Sequence, residues 1–218
     1  MLGKRHAHPG PRAARRMRLH WSPRSPFVRK VMIAAHELGL ADRIDTVRTV
    51  VRMGRPNEAL LPDNPLSKIP TLVLDDGRAL FDSLTIIEYL DHIAGDRLFP
   101  AAPARFEALT RHALGNGFLD LLILFRNERD KPAERRTQEW LDSFAAKTRA
   151  TLDRLEREAP AMAALPFDIG HIAIGCALSY LDFRFADLPW REGRPALAAW
   201  HAAFSARPST RATEAVDD

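Results

Sequence analysis

The feature that most constrains this chain is a change of hydrophobic period across residues 95–103. Before that stretch, apolar residues alternate between strand and helix spacing; after it they keep helical spacing almost to the end. Residues 18–21 read as a short strand. Residues 27–38 read as a helix with Val28, Val31, Met32, Ala35 and Leu38 at helical spacing and Gly39 just past its end. Residues 44–51 are a β-branched run, 56–62 are irregular, and 71–74 form a compact apolar strand. Asp75-Asp76-Gly77 turns the chain into a returning strand at 79–81. Residues 83–94 are helical again, with Ile86, Ile87, Leu90 and Ile93 on one face. The order is βαβ followed by ββα, short for a dinucleotide-binding domain. Pro100 and Pro103 punctuate the linker, and helical patterns follow at 104–129, 133–158, 169–185 and 194–206. Pro160, Pro166, Pro189, Pro195 and Pro208 separate or follow them. The expected class is α/β plus all-α: a mixed N-terminal domain over 17–95 and an all-helical C-terminal domain over 104–211.

Composition narrows the function. No apolar run approaches the roughly 18–20 residues that span a bilayer, so no membrane partner is expected. The single cysteine, Cys176, excludes an internal disulfide framework and any metal site built from cysteines alone, and it fits a reducing cytoplasm. The first 16 residues carry five of the 32 Lys and Arg and no acid, which leaves 27 basic against 28 acidic residues in the rest. The body is therefore near neutral and gives no support for nucleic-acid binding. Residues 1–16 have no apolar core of a secretory signal and read as a disordered basic tail. A nucleic-acid- or lipid-binding arm and an organelle transit peptide are the competing expectations.

Chemistry concentrates where strands give way to helices. Ser22-Pro23 and Ser25-Pro26 each place a preferred N-cap before a preferred first helical residue. The second pair sets a hydroxyl at the positive end of a helix, a place that suits an anion such as a thiolate. Asp82-Ser83 opens the second helix in the same way.

These residues resemble a known family. Ser25-Pro26-Phe27-Val28-Arg29-Lys30-Val31, then Asn64-Pro65-Leu66-Ser67-Lys68-Ile69-Pro70, then Phe81-Asp82-Ser83, then a helical second half, look like a cytosolic glutathione S-transferase of the serine type. Residues 172–184 resemble its bacterial YibF-like branch. The resemblance implies a thioredoxin-like N-terminal domain, a helical C-terminal domain, glutathione as co-substrate, a small electrophile as second substrate, no metal, a detoxification role and a homodimer in the cytoplasm. Ser25 is the implied partner of the glutathione sulfur. Ser22, nearer the strand end, competes for that role. For both, the plainer explanation is helix capping. No Tyr lies near this turn and no Cys lies in the N-terminal half, which sets aside the tyrosine and cysteine mechanisms. The resemblance further implies a cis Pro70, strand-like pairing of the Ile69 backbone with the cysteinyl part of glutathione, and Lys68 on the glycine carboxylate. Ser83 would hold the γ-glutamyl carboxylate and Asp82 the ammonium. Arg126 and Arg129 close the first long helix near the implied second-substrate site, where exposed helix-end arginines are the ordinary explanation. Asp168 can cap its helix, and His171 stands where the family carries an acid. Besides a transferase, a glutathione-binding protein without turnover and a peroxidase or isomerase on the same fold fit the motifs.

Overall fold

The computed structural model describes residues 16–217, so the structure of the basic tail, Arg16 apart, lies outside the described residues. Arg16 pairs with Asp45 at 2.7 Å on the surface. Strand β1 (Met17–Trp21) leads through helix α1 (Pro26–Glu37) to β2 (Ile44–Arg48). Then β3 (Thr71–Val73), β4 (Ala79–Leu80) and α2 (Ser83–Ile93) complete the first half. The sheet runs β2-β1-β3-β4, with β1 parallel to β2 and antiparallel to β3, and β3 antiparallel to β4. A parallel pair needs a crossover, and α1 is that crossover. This is the thioredoxin-like arrangement.

The strand expected over 44–51 ends at Arg48. The Thr49 N–H makes the last ladder bond, to the Trp21 carbonyl at 2.8 Å, and β1 itself ends at Trp21, so the chain beyond has no strand to pair with. Gly39 takes φ +70°, the left-handed conformation expected of a residue past a helix end.

The helical half comprises α3 (Ala104–Arg129), α4 (Gln138–Ala163), α5 (Ile169–Arg184), α6 (Pro195–Ser205) and α7 (Pro208–Arg211). The segment expected to start at 133 starts at Gln138, because a short 3₁₀ turn at Ala133–Arg135 follows Pro132. It also runs through Pro160. That residue's missing N–H removes a bond only near the helix end, where the disruption is smallest. Pro208, read as a terminator, starts α7 at the first helical position.

Helix α5 is buried from Ile169 to Leu181, so it has no polar face and forms the axis of the helical half. Its start is tied down by Asp168, whose Oδ1 accepts from the N–H groups of Gly170 and His171 at 2.9 and 3.1 Å. His171 Nδ1 in return lies 3.3 Å from the Asp168 N–H and 2.7 Å from Asp168 Oδ1, and its Nε2 lies 3.0 Å from the Met162 carbonyl oxygen. The capping box thus closes with His in the acid's place. Arg111 of α3 adds an ion pair to Asp168 at 2.5 Å. Burial alone would raise that carboxyl's pKa, but the hydrogen bonds from His171 and Arg111 hold it below the usual carboxylate range.

Candidate functional site

Strand register brings the expected motifs to one end of the sheet. His20 of β1 lies opposite Thr71 of β3, and Leu80 of β4 lies opposite Leu72. Continuing both ladders sets Ile69-Pro70 beside the chain leaving Trp21 and Asp82 on its other side. Helices α1 and α2 both begin at this end, so two helix N-termini, each with a positive partial charge, converge on it.

The Ile69–Pro70 peptide is cis. Asn64, 1% exposed, holds the turn before it: its amide donates to the Lys68 carbonyl at 3.1 Å and to Thr71 Oγ1 at 3.0 Å. Lys68 is exposed, and Ile69 is buried. Ser25 is the N-cap of α1, its Oγ accepting from the Val28 N–H at 3.3 Å. Accepting that bond leaves its own O–H to donate, so capping and sulfur binding are compatible. Ser22 is buried, and its Oγ lies 3.4 Å from the Arg24 N–H. Asp82 is exposed and caps α2 through the Leu84 N–H at 3.0 Å. Ser83 beside it is 1% exposed, yet its Oγ has no hydrogen-bond partner. Among the described residues no group of three or more His, Cys, Asp or Glu is placed to hold a metal ion, and no helix is long and apolar enough to cross a membrane.

Residues 24–93 match the model of the glutathione S-transferase N-terminal domain, and residues 138–203 match that of the C-terminal domain. The chain belongs to the glutathione S-transferase family. It is 29% identical over 203 residues to the GST-like protein YibF of Escherichia coli K12, which covers 91% of this chain and 98% of YibF. A glutathione transferase family member from Pseudomonas fluorescens Pf-5, crystallised with bound glutathione, is 43% identical over 92% of this chain and 100% of its own, with a TM-score of 0.88. A second structure from that organism, with bound S-(propanoic acid)-glutathione, is 42% identical over the same shares, with a TM-score of 0.85.

Behind the transferase-fold motifs lies a cluster that sequence reasoning missed. Lys30 of α1 is completely buried. Its Nζ donates to Asn116 Oδ1 of α3 at 2.5 Å, lies 3.5 Å from His112 Nε2, and sits 5.0 Å from the centre of the Phe27 ring. Burial pushes the Lys30 ammonium down to about 8, although Cys176, Asp82 and Asp120 pull the other way. Burial, with the Lys30 charge, pushes His112 down to about 4. Burial raises the Asp120 carboxyl's pKa against the pull of Lys30 and Lys68, and Asp82 adds to the rise. Lys68, Asp82, Asp120 and Lys30 thus share one field. Helix α1 is buried on two sides, with Pro26, Lys30 and Ala34 inside as well as the Val28–Val31–Ala35 face. A one-faced helical pattern gives no sign of that. The only cue was a lysine inside an otherwise apolar repeat.

The two arginines part company. Arg126 donates to the Tyr180 hydroxyl at 3.1 Å. Arg129 donates to the Arg184 carbonyl at 3.0 Å, stacks on Phe185 with its guanidinium 4.5 Å from the ring centre, and pairs with Asp130 at 3.1 Å. Its Nη1 also lies 3.9 Å from Asp187 in the turn after α5, so Arg129 ties the end of α3 to the end of α5 and the turn beyond it. Cys176 is fully buried, and burial raises its thiol to about 11, so it is an inert core residue.

Proposed function

We propose that this protein is a glutathione transferase in which the Ser25 hydroxyl donates to the sulfur of reduced glutathione, and the thiolate attacks a small electrophile. The observation that carries the reading is Ser83. A buried hydroxyl without a partner is costly, and this one stands at a helix N-terminus beside the Asp82 carboxylate. A ligand that brings a carboxylate and an ammonium together, as the γ-glutamyl end of glutathione does, satisfies both groups. Lys68 would meet the glycine carboxylate, and the Ile69 backbone before the cis Pro70 would pair with the cysteinyl unit. The Pseudomonas relatives bind glutathione and a glutathione thioether, which accords with this cradle and with conjugation.

The expected contribution of Ser25 is modest. A free thiol of pKa about 8.5 is about 3% ionised at pH 7. A charge-assisted hydrogen bond of roughly 1.5–3 kcal/mol lowers that pKa by about 1–2 units and brings roughly a quarter or more into the thiolate form. A less basic thiolate is also a weaker nucleophile, so the net gain is about tenfold. Ser25→Ala is therefore expected to lower kcat/KM about tenfold in a conjugation assay over a panel of electrophiles, while Ser22→Ala stays near wild type. Full activity in Ser25→Ala with loss in Ser22→Ala would transfer the role to Ser22. Retention on glutathione resin without turnover of any electrophile would reduce the protein to a glutathione-binding module.

The same reading takes residues 17–95 as the glutathione-binding unit and 104–211 as the helical unit, in a homodimer placed in the cytoplasm, where thiols stay reduced. Phe106 and Leu124, exposed on α3, are apolar surface that a second copy would cover. A monomer in sedimentation equilibrium would remove the dimer.

A further inference from the structure

Helices α4 and α6 enclose a cavity of about 480 Å³, a size that suits a small molecule. The cavity meets α5 only at its first turn, through His171. The last turn of α5 carries Arg184, and the chain returning after α7 ties it to the loop between Ser22 and Ser25: Asp217 lies 3.1 Å from both Arg184 and Arg24. Cavity and serine loop are therefore about 20 Å apart along α5. The protein itself fastens the two walls. Glu156 of α4 accepts from the Ala196 and Leu197 N–H groups at the start of α6, at 3.1 and 2.7 Å, and Arg194 pairs with Asp153 at 2.6 Å. The lining is apolar and rich in flat rings. Trp200 and Phe204 stack at 11° with centroids 5.8 Å apart, and Phe167 lies against Phe204 at 26° and 6.4 Å. Ala163, Ala199 and Ala203 give the walls only methyl groups, so the space beside the rings stays open. Both ring nitrogens of His171 are engaged, by Asp168 and Met162. The charged group in the lining is Arg207, whose guanidinium lies 3.8 Å over Phe167. Its Nε and Nη2 donate to Glu37 at 2.9 and 2.8 Å. Burial alone would raise the Glu37 carboxyl's pKa, but the hydrogen bonds from Arg207 and Ser209 hold it below the usual carboxylate range. The pair is thus ionised and its charges cancel. Among the described residues Arg207 Nη1 meets no acceptor.

We propose that this cavity is a second, noncatalytic binding site, whose ligand is a flat, uncharged aromatic molecule of two or three rings with a carbonyl oxygen at one edge. The near-parallel rings of Trp200, Phe204 and Phe167 extend to a flat guest by offset stacking. The N–H groups of Arg207 Nη1 select an acceptor at the guest's edge, because a donor that gives up water to face a hydrocarbon is left unpaired. Glu37 already matches the Arg207 charge, so a carboxylate there gives up more hydration than the balanced pair returns. The site lies beyond the glutathione-transferase reading and does not rest on it.

The test uses 9-fluorenone and fluorene, which share one fused-ring skeleton and differ in the carbonyl. In equilibrium dialysis, wild type is expected to bind fluorenone about fivefold more tightly than fluorene. Saturating S-hexylglutathione is expected to leave both affinities unchanged. Ala199→Phe fills the cavity from an exposed position and is expected to weaken fluorenone about tenfold or more. Ala202→Phe, exposed on the same helix but outside the cavity, is the control and should bind as wild type does. Displacement of fluorenone by S-hexylglutathione, or full affinity in Ala199→Phe, places the ligand elsewhere and overturns the site. Equal binding of fluorenone and fluorene overturns the role of Arg207. Tighter binding of fluorene-2-carboxylate than of fluorenone overturns the uncharged class, and absence of binding by all of these probes overturns the inference as a whole.

Discussion

Lys30→Met is expected to stabilise the fold at pH 7 by about 1–3 kcal/mol, with the gain fading toward pH 10. The ammonium is completely buried, and its pKa falls from 10.5 to about 8. At about 1.4 kcal/mol per unit, that drop is a penalty of about 3 kcal/mol on the folded state. Its pH window follows from the direction of the shift. Below pH 8 both folded and unfolded chains hold the proton, so the whole penalty applies. Between 8 and 10.5 the folded chain releases the proton first, and stability rises with pH. Above the unfolded value the penalty is gone. Methionine has similar length and no charge, but it abandons the bond to Asn116, which is why the expected gain is smaller than the full penalty. Urea unfolding of both proteins at pH 7 and near pH 10 checks this. A variant less stable at pH 7, or a gap that ignores pH, would contradict a desolvated ammonium. The functional counterpart is that glutathione binding should weaken as stability improves, because Asp82 and Asp120 stand in the field of that charge. A residue that works against the fold and shares a field with Asp82 is the pattern expected of a functional site.

What the residues disclosed in advance, and what they did not, follows from the range of the interactions. The βαβ-ββα order and the helical half were legible because period, caps and turns are local: Gly39, Ser25-Pro26 and Asp75-Asp76-Gly77 each act over a few positions. The convergence of Ser25, Lys68 and Asp82 was legible only through the family resemblance, since strand register, not sequence distance, joins them. Boundaries failed where tertiary pairing decided them, as when β2 stopped at Arg48 because its partner β1 stops at Trp21. Pro160 and Pro208 misled because position within a helix, not the residue itself, sets what a proline does. Lys30, Asp120 and the Arg24–Arg184–Asp217 contact were invisible for another reason. Each depends on the packing of α1, α3, α5 and the returning chain, over separations of 33 to 193 residues in sequence among the cluster partners. The swapped capping box was visible as a departure, but its closure depended on the His171 ring bonding Met162 as well as Asp168.

The same packing gives the second large effect, at Gly115. A Cβ built there would lie 2.6 Å from the Ala173 carbonyl carbon and 2.6 Å from the Ile174 nitrogen. Both are backbone atoms of α5, itself buried throughout that stretch, so no side chain can swing away to make room. Gly115→Ala is expected to destabilise the protein by about 3 kcal/mol or more, at or beyond the upper end for overpacked cores, because relief requires the two helices to separate. Separation would also carry Asn116 and His112 away from Lys30, so the loss should appear in glutathione binding as well as in the unfolding midpoint. Gly117, two residues on in the same helix, is the control. A Cβ there meets nothing within 4 Å. Gly117→Ala keeps only the helix-propensity gain of about 1 kcal/mol and should raise the midpoint. Helix content alone would make the two substitutions alike. Opposite signs in one denaturation series would mean that the contact of α3 with α5, rather than the propensity of α3, fixes the geometry of the helical half. Equal, favourable effects would mean that the helices do not approach as closely as 2.6 Å requires.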